Sequence, residues 1–381
     1  MLASLPARPG VAGARRVVLK LGTRVVTHDD GALAHSRLIA IAEATAELRA
    51  QGKEVLIVSS GALGLGRDAL GMRVTPTEVD ERQACAAVGQ TRLMALYQEA
   101  FARTGILCGQ LLLTEADFDN RERYLNLGAA LHALLRHRVV PIINENDAVS
   151  TQELELTTGP RPVFGDNDRL SALVATKLDA DLLVLFTDVR GLYERDPRID
   201  SDARLVSKIE RMEEVGALSS PSGSSVSRGG MRTKVDAAWV ASRGGCHAVI
   251  TSGREPEQWG AVFAGEEVGT WFPARPRPHA RQRWIAIAAA PRGRLLLDPG
   301  AVLALTEGHA SLLAAGVTAV EGAFRAGDVV ELLGVDGRRL GRGIIGWDAP
   351  TVREWCAGRP PGGTRNAHAL IRRDEIVLEN R

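Results

Sequence analysis

The sequence predicts an α/β fold in which a mostly parallel sheet is sandwiched by helices and followed by a small β-rich domain. Three observations carry this. Short apolar runs such as Val17 to Leu21, Val55 to Val58 and Leu182 to Phe186 alternate with helical segments through the first two-thirds of the chain, and such alternation gives parallel strands covered on both faces. Turns rich in Gly, Ser, Asn and Asp follow several of these runs, where open α/β sheets collect ligands. After the Pro-rich, basic stretch Pro273 to His279 the pattern changes to short strands joined by Gly-bearing turns.

Taken in order, Val17 to Leu21 reads as a buried strand, and Gly22-Thr23 after it lets the backbone approach a ligand closely. Leu38, Ile41, Ala42, Thr45 and Leu48 recur on one helical face, which Gln51-Gly52 ends. Val55 to Val58 is a second strand. Its exit through Ser59, Ser60, Gly61 and Ala62 puts hydroxyls and free N–H groups at a helix start, which is either an anion site or a plain cap. Helical sequence from Glu78 to Arg103, strand Leu107 to Leu113, helix Arg121 to Arg136 and strand Val139 to Ile143 continue the alternation.

The last of these strands leads into Asn144-Glu145-Asn146-Asp147, and a second cluster, Gly165-Asp166-Asn167-Asp168, opens the helical run Arg169 to Lys177. Such side chains can hold an ammonium group, fix a carboxamide network or orient a lysine. Either cluster alone reads equally as an Asx-rich turn capping a helix. Leu182 to Phe186 ends at Thr187-Asp188, which serves a nucleotide or merely starts a turn. Ser222 to Lys234 is rich in Gly and Ser and runs into a helix from about Met231 to Arg243. With Arg228, Arg232 and Lys234 it offers a phosphate cradle, although its spacing is not that of a Walker A loop. There is no Ser/His/Asp nucleophile motif, and Gly64-Leu65-Gly66 lacks the third glycine of a dinucleotide fingerprint.

Composition narrows the classes. At 381 residues the chain exceeds what one core usually supports, so two domains are expected. Its 45% apolar and 24% charged content is that of a soluble globular protein. No apolar run approaches a membrane span and the N-terminus lacks a signal-peptide core, so a cytoplasmic location with no membrane partner is expected. Cys85, Cys108, Cys246 and Cys356 show no metal-ligand spacing, nor do the eight histidines, and no protein-held metal is predicted. Only five of the 47 basic residues are lysines, and two of them, Lys20 and Lys234, sit beside glycine-bearing turns. A compact ammonium can follow a migrating phosphoryl group in a way that a planar guanidinium does not. The net charge is −4 before Pro273 and +5 from it onward, which places a boundary there; a solvated surface explains that excess as readily as RNA does. In the second domain, Trp284 to Ala288 is expected to begin the β-rich stretch. Val329 to Leu333, the turn Asp336-Gly337 and Gly341 to Gly346 follow as consecutive short strands.

With these pieces assembled, the chain resembles the glutamate 5-kinases of the amino-acid kinase family, including an appended PUA domain. The stretches that carry it are Val18 to Thr23, Val58 to Ala62, Pro141 to Asp147, Gly165 to Ser171, Leu185 to Asp188 with Gly191-Leu192-Tyr193, and Gly229 to Lys234. Any one is weak, whereas six in the right order are specific. The segment Gly316 to Asp328 resembles the core of a PUA pseudobarrel. The resemblance implies an N-terminal extension over 1–15, an amino-acid kinase domain over 16–272, a linker over 273–280, and a PUA domain with tail over 281–381.

It also implies transfer of the ATP γ-phosphoryl group, with Mg²⁺, to the side-chain carboxylate of L-glutamate, giving L-glutamyl 5-phosphate for proline biosynthesis. Family roles carried onto matching positions put glutamate against Ser60, Gly61, Asn144, Asp147 and Asn167. They put ATP against Lys20, Gly22, Thr187, Asp188, Arg228, Gly229, Gly230, Met231, Arg232, Thr233 and Lys234. Lys20 and Lys234 would neutralise the transferring group, with Asp168 holding them; on this reading their truncation to Ala costs turnover with little effect on folding. Proline as feedback inhibitor, a homo-oligomer (dimer or tetramer) and handover to glutamyl phosphate reductase are further implications. An RNA partner is not implied.

Two departures from the family pattern stand out. Ser227-Arg228 replaces the usual Gly-Thr before Gly-Gly-Met, so the nucleotide loop is either reshaped or touches phosphate through arginine. The segment Glu153 to Val163 is longer than usual and reads as a hairpin or lid. A related kinase acting on acetylglutamate, aspartate or uridylate is the nearest rival. A more distant one is an RNA-binding protein whose kinase-like domain senses metabolites.

Overall fold

A computed structural model describes residues 7–28, 33–149, 167–197, 199–218, 230–308, 310–358 and 369–378. The chain divides into two compact units. The first comprises residues 1–117 and 121–277, the second residues 278–381 together with Phe118–Asn120.

In the first unit the elements run α1 (Pro9–Ala12), β1 (Arg16–Leu21), α2 (Thr23–Val26), α3 (His35–Ala50), β2 (Glu54–Ser59), α4 (Ala62–Ala69), α5 (Val79–Ala102) and β3 (Cys108–Leu113). After α6 (Ala116–Asp119), whose last two residues belong to the second unit, come α7 (Arg121–Arg136), β4 (Val140–Glu145), α8 (Asn167–Lys177), β5 (Leu182–Thr187), α9 (Met212–Leu218), α10 (Met231–Arg243), β6 (His247–Ser252), α11 (Trp259–Phe263) and β7 (Thr270–Phe272). The sheet order is β3-β4-β2-β1-β5-β6-β7, parallel except for β7. The helix-forming face expected of Leu38, Ile41, Ala42, Thr45 and Leu48 is the buried face of α3. β4 runs two residues beyond its apolar stretch, because Asn144 and Glu145 still pair with Leu112 and Leu113 of β3. The cluster read as a turn after the strand therefore begins inside it. Glu153 to Val163 lies outside the described residues.

β4 and β5 are buried along their whole length, which requires both faces of the sheet to be covered there. Side chains alternate across the sheet. Val17, Leu19 and Leu21 of β1 join Leu38, Ile41, Leu93, Tyr97 and Trp259 in one core. Val18 and Lys20 point to the opposite face, against which α8 packs. The chain leaves β1 on one side for β2 and later returns on the other as β5. This reversal is the switch point at which α/β sheets bind ligands, beyond the strands' carboxyl ends.

Two glycines set the height of α4 above that edge. A Cβ on Gly66 would lie 1.7 Å from the Cys85 carbonyl oxygen, and one on Gly89 would lie 1.7 Å from that of Ala62. Backbone therefore meets backbone where α4 crosses α5. Gly61, at φ 108°, turns the chain into α4 with a Cβ position only 2.8 Å from Val26, a place and a conformation that suit glycine alone.

The second unit runs α12 (Ala280–Arg283), β8 (Gly293–Leu297), α13 (Pro299–Thr306), β9 (Leu312–Leu313), β10 (Val317–Gly322), β11 (Val329–Leu333), β12 (Arg339–Ile344), α14 (Ala349–Cys356), β13 (Ala369–Ile371) and β14 (Ile376–Leu378). Its larger sheet has the order β10-β8-β11-β12-β14, and β13 pairs with β9. β11 and β12 form the hairpin expected around Asp336-Gly337, with Gly337 at φ 74°. Trp284 to Ala288 is not the first strand. It is a π-helical turn continuing α12, closed by a bond from Ala289 N–H to the Trp284 carbonyl. Its Ala/Ile alternation mimics a strand, yet Trp284, Ile285 and Ala288 are the buried set, a helical spacing. Trp284 also anchors the turn by donating its indole N–H to the Phe118 carbonyl at 2.9 Å. Among the described residues no helix is long and apolar enough to cross a membrane.

Candidate active site

Lys20 lies one residue before the end of β1 and is 3% exposed. A buried ammonium is costly unless paired, and the partner is Asp168, 1% exposed, in the first turn of α8. The same carboxylate meets Lys234 Nζ at 3.2 Å through its Oδ2, and Oδ2 also accepts from Thr233 Oγ1 at 2.8 Å. Lys234 and Thr233 belong to the first turn of α10, where Lys234 Nζ donates to the Gly230 carbonyl at 2.9 Å. One carboxylate thus ties an ammonium from β1 to another from α10. Burial pushes the Asp168 carboxyl up, but the charges of Lys20 and Lys234, with hydrogen bonds from Lys20 and Thr233, outweigh it and hold the group below its ordinary value. Because Lys20 is locked into this buried network, its truncation is expected to cost stability. For Lys20 the sequence-based expectation of little effect on folding thus gives way to an expected loss of stability.

Beside this cluster lies a carboxamide network. Asn144, 1% exposed on β4, donates through Nδ2 to Gln90 Oε1 at 2.8 Å, and its Oδ1 accepts from the Glu145 N–H at 2.9 Å. Asn167, opening α8, donates to Asn144 Oδ1 at 3.0 Å and to Ser60 Oγ at 3.1 Å. Ser60 follows β2 and Gly61 follows it, so the expected residues Ser60, Gly61, Asn144 and Asn167 converge. Tyr97 backs this corner, donating its hydroxyl to Ser59 Oγ at 2.7 Å; burial holds its phenol far above the ordinary value and keeps the proton in place. Asp147 is half-buried in the turn after β4. It lines an open depression of about 560 Å³ together with Gln90, Gln98, Gln110 and Glu145.

At the end of β5, Thr187 Oγ1 donates to Asp188 Oδ1 at 3.1 Å, and Arg24 of α2 reaches Asp188 Oδ2 at 2.8 Å. Burial raises the Asp188 carboxyl, but the bond from Arg24 and those from its own backbone and Thr187 leave it below its ordinary value. Gly22 lies alongside, its N–H 3.4 Å from the Phe186 carbonyl. Gly230, Met231 and Thr233 stand at the start of α10. Arg232 does not join them inward: it is exposed and pairs with Asp236 one turn along the helix. Arg228 and Gly229 lie outside the described residues.

Sequence reasoning missed Gln90 and Arg24. The signal for Gln90 was present, because it is a carboxamide on the face of α5 otherwise made of Cys85, Ala86, Gly89, Leu93, Met94 and Tyr97. Arg24 had none, being one of many exposed arginines.

Two family models match the chain: the amino acid kinase family over residues 15–252 and the PUA domain over residues 293–359. Among curated proteins it is 44% identical to the glutamate 5-kinase of Burkholderia multivorans over 97% of this chain and 99% of that protein. It is 44% identical to that of Paraburkholderia phytofirmans over 97% and 100%. The glutamate 5-kinase of Cupriavidus metallidurans is 43% identical over 97% and 99%. A paired-lysine cluster and an amide network at the switch point of a parallel sheet, matched to these relatives from end to end, make this chain a member of the amino-acid kinase family, in its glutamate 5-kinase branch with a C-terminal PUA domain.

Proposed function

We infer that the chain is a glutamate 5-kinase, which transfers the γ-phosphoryl group of ATP to the side-chain carboxylate of L-glutamate and forms L-glutamyl 5-phosphate, the first step of proline biosynthesis. The observation that carries this reading is Asp168 holding Lys20 and Lys234 within the same site as the Ser60, Asn144 and Asn167 network.

The chemistry fits those residues. A glutamate side chain, with an ordinary pKa of about 4.3, is already ionised at neutral pH, so no general base is required. The obstacle is bringing one anion against another in line. Alignment and positive charge must lower the barrier. Two ammonium groups held by one carboxylate, one from β1 and one from α10, supply fixed charge to the transferring group. We assign glutamate to Ser60, Gly61, Asn144, Asp147 and Asn167. We assign ATP to Lys20, Gly22, Thr187, Asp188 and the segment Arg228 to Lys234, with Arg232 at its outer margin. Mg²⁺ carried on the ATP phosphates neutralises charge there. In the same reading residues 16–272 form the kinase domain and 281–381 the PUA domain and tail. A cytoplasmic location, proline feedback, a dimer or tetramer, and handover to glutamyl phosphate reductase complete it.

The test supplies purified protein with Mg·ATP and, separately, L-glutamate, N-acetylglutamate, aspartate and UMP, following ADP release and trapping acyl phosphate with hydroxylamine. Hydroxamate from L-glutamate alone, suppressed by proline, is the expected result. No turnover of any acceptor by a folded, ATP-binding protein would overturn the reading in favour of a sensor or an RNA binder.

A further inference from the structure

We propose that Gln90 is a positioning residue that fixes which side of the Asn167 carboxamide faces the amino-acid substrate, and so makes the site selective for a free α-ammonium group. This rests on the reading of the site as a glutamate kinase.

Gln90 is 8% exposed on an otherwise apolar helix face. A carboxamide in such a place is costly unless hydrogen-bonded. Its Oε1 is satisfied, accepting from Asn144 Nδ2 at 2.8 Å, and the direction of that bond is forced from the backbone. The Glu145 N–H can only donate, and it lies 2.9 Å from Asn144 Oδ1, so that atom must be the oxygen. The other side of the Asn144 carboxamide is then its NH₂ group, which needs the acceptor that Gln90 provides.

The same logic propagates to Asn167. Asn144 Oδ1 is an acceptor, so the Asn167 atom facing it at 3.0 Å must be the nitrogen, and the second Asn167 hydrogen goes to Ser60 Oγ at 3.1 Å. Both N–H groups of Asn167 are thereby used. Its Oδ1 is turned away from the relay, buried, and without a hydrogen-bond partner among the described residues. A buried acceptor of this kind is open to a donor from the ligand, and an ammonium group supplies one. Ser60, having accepted from Asn167, keeps its own proton for an anionic oxygen. The relay therefore presents an acceptor for the amino group and a donor for an anion, the pattern of an α-amino acid.

Without an acceptor at position 90, Asn144 Nδ2 is left unpaired. Turning Asn144 over to relieve it breaks the Glu145 bond and sets nitrogen against nitrogen at Asn167, which then loses its fixed orientation. Gln90 would act without touching the amino group. Its own Nε2 is buried, has no hydrogen-bond partner among the described residues, and stands on the depression shared with Asp147. A variant that keeps the oxygen but not the nitrogen separates the two ends.

The test measures the KM for L-glutamate against the inhibition constant of glutarate, which has both carboxylates but no α-ammonium group. Both are taken with the full chain at saturating Mg·ATP. Gln90→Met should narrow the preference for glutamate about tenfold, the equivalent of one misplaced hydrogen bond to a charged group, and leave the KM for ATP within about twofold. Gln90→Glu keeps an acceptor for Asn144 and should hold the preference within about threefold of wild type. In an Asn167→Ala background, Gln90→Met should change the preference no further. If Gln90→Met does not fold, Gln90→Asn, too short to reach Asn144, takes its place. An unchanged preference in the loss variant, equal losses in Gln90→Met and Gln90→Glu, or additivity with Asn167→Ala would each overturn the proposal while the wild type remains an active glutamate kinase. A wild type inert toward glutamate would overturn the kinase reading and this proposal with it.

Discussion

Replacing Asp168 by Asn removes the negative charge that joins Lys20 to Lys234 while nearly preserving shape. The Lys20 and Asp168 side chains are 4% and 1% exposed, so the pair has little access to water. Breaking a buried pair by removing one partner costs about 3–5 kcal/mol. Lys234, at 13% exposure, can relax outward and Thr233 can still bond to the amide, which places the expected loss near the lower end, about 3 kcal/mol at pH 7. The loss should depend on pH in a defined direction. The Asp168 carboxyl is held below its ordinary value in the folded protein. The stability it confers is therefore fully present above the unfolded value of about 3.9, and is lost as pH falls through the folded value. The deficit of Asp168→Asn should stay near constant from neutrality down to about pH 5 and shrink below about pH 4. Urea unfolding, with the first unit followed by hydrogen exchange in peptides spanning β1 and α8, reads this directly. A deficit below about 1 kcal/mol at pH 7, or one that does not diminish in acid, would refute the account of Asp168 as the anchor of two ammonium groups.

Further substitutions probe the other parts of the site. Lys20→Ala and Lys234→Ala should each lower kcat by about 100-fold or more in steady-state assays, and Lys20→Ala should also cost about 2 kcal/mol in urea unfolding because of its burial; near-normal turnover in either would count against the assignment. Asp147→Asn should raise the KM for glutamate far more than it lowers kcat, as expected where a contact binds ground and transition states alike. Gly89→Ala should destabilise by about 1–3 kcal/mol in thermal unfolding despite the better helix propensity of alanine, because its methyl group meets the Ala62 carbonyl. Cys246, buried and with its thiol pushed far up by burial, should resist thiol reagents in the native protein and react only on unfolding.

Much of the first unit was legible because each layer left its own period in the sequence. The α3 face and the β5 run are recoverable residue by residue from apolar spacing alone, since both face a continuous core. The acidic and amide residues of the site were legible as types; that Asp168 holds Lys20 and Lys234 came only through the family resemblance, and the partners within the carboxamide network were not legible. Nothing in local sequence says that Asp168 would receive Lys20 from β1 and Lys234 from α10; that convergence comes from the order of strands. Trp284 to Ala288 failed for the opposite reason. Its local alternation was real, but the burial of Trp284 and its bond to the Phe118 carbonyl decided the backbone conformation. Gln90 was hidden by its surroundings, because one polar residue on an apolar helix face is easily read as noise until its partner on β4 is known.

The crossing of α4 over α5, where Gly66 and Gly89 leave backbone against backbone, has a consequence for how this chain can change over time. No side chain stands between the two helices at that point, so no sequence of conservative replacements can let them drift apart or closer by small steps. Ser60 at the foot of α4 and Gln90 on α5 are spaced as if by a fixed ruler. A descendant adapting to a different acceptor would have to exchange the polar groups themselves and not the distance between them, so its history would be written in substitutions at the amide relay against an unaltered helical frame.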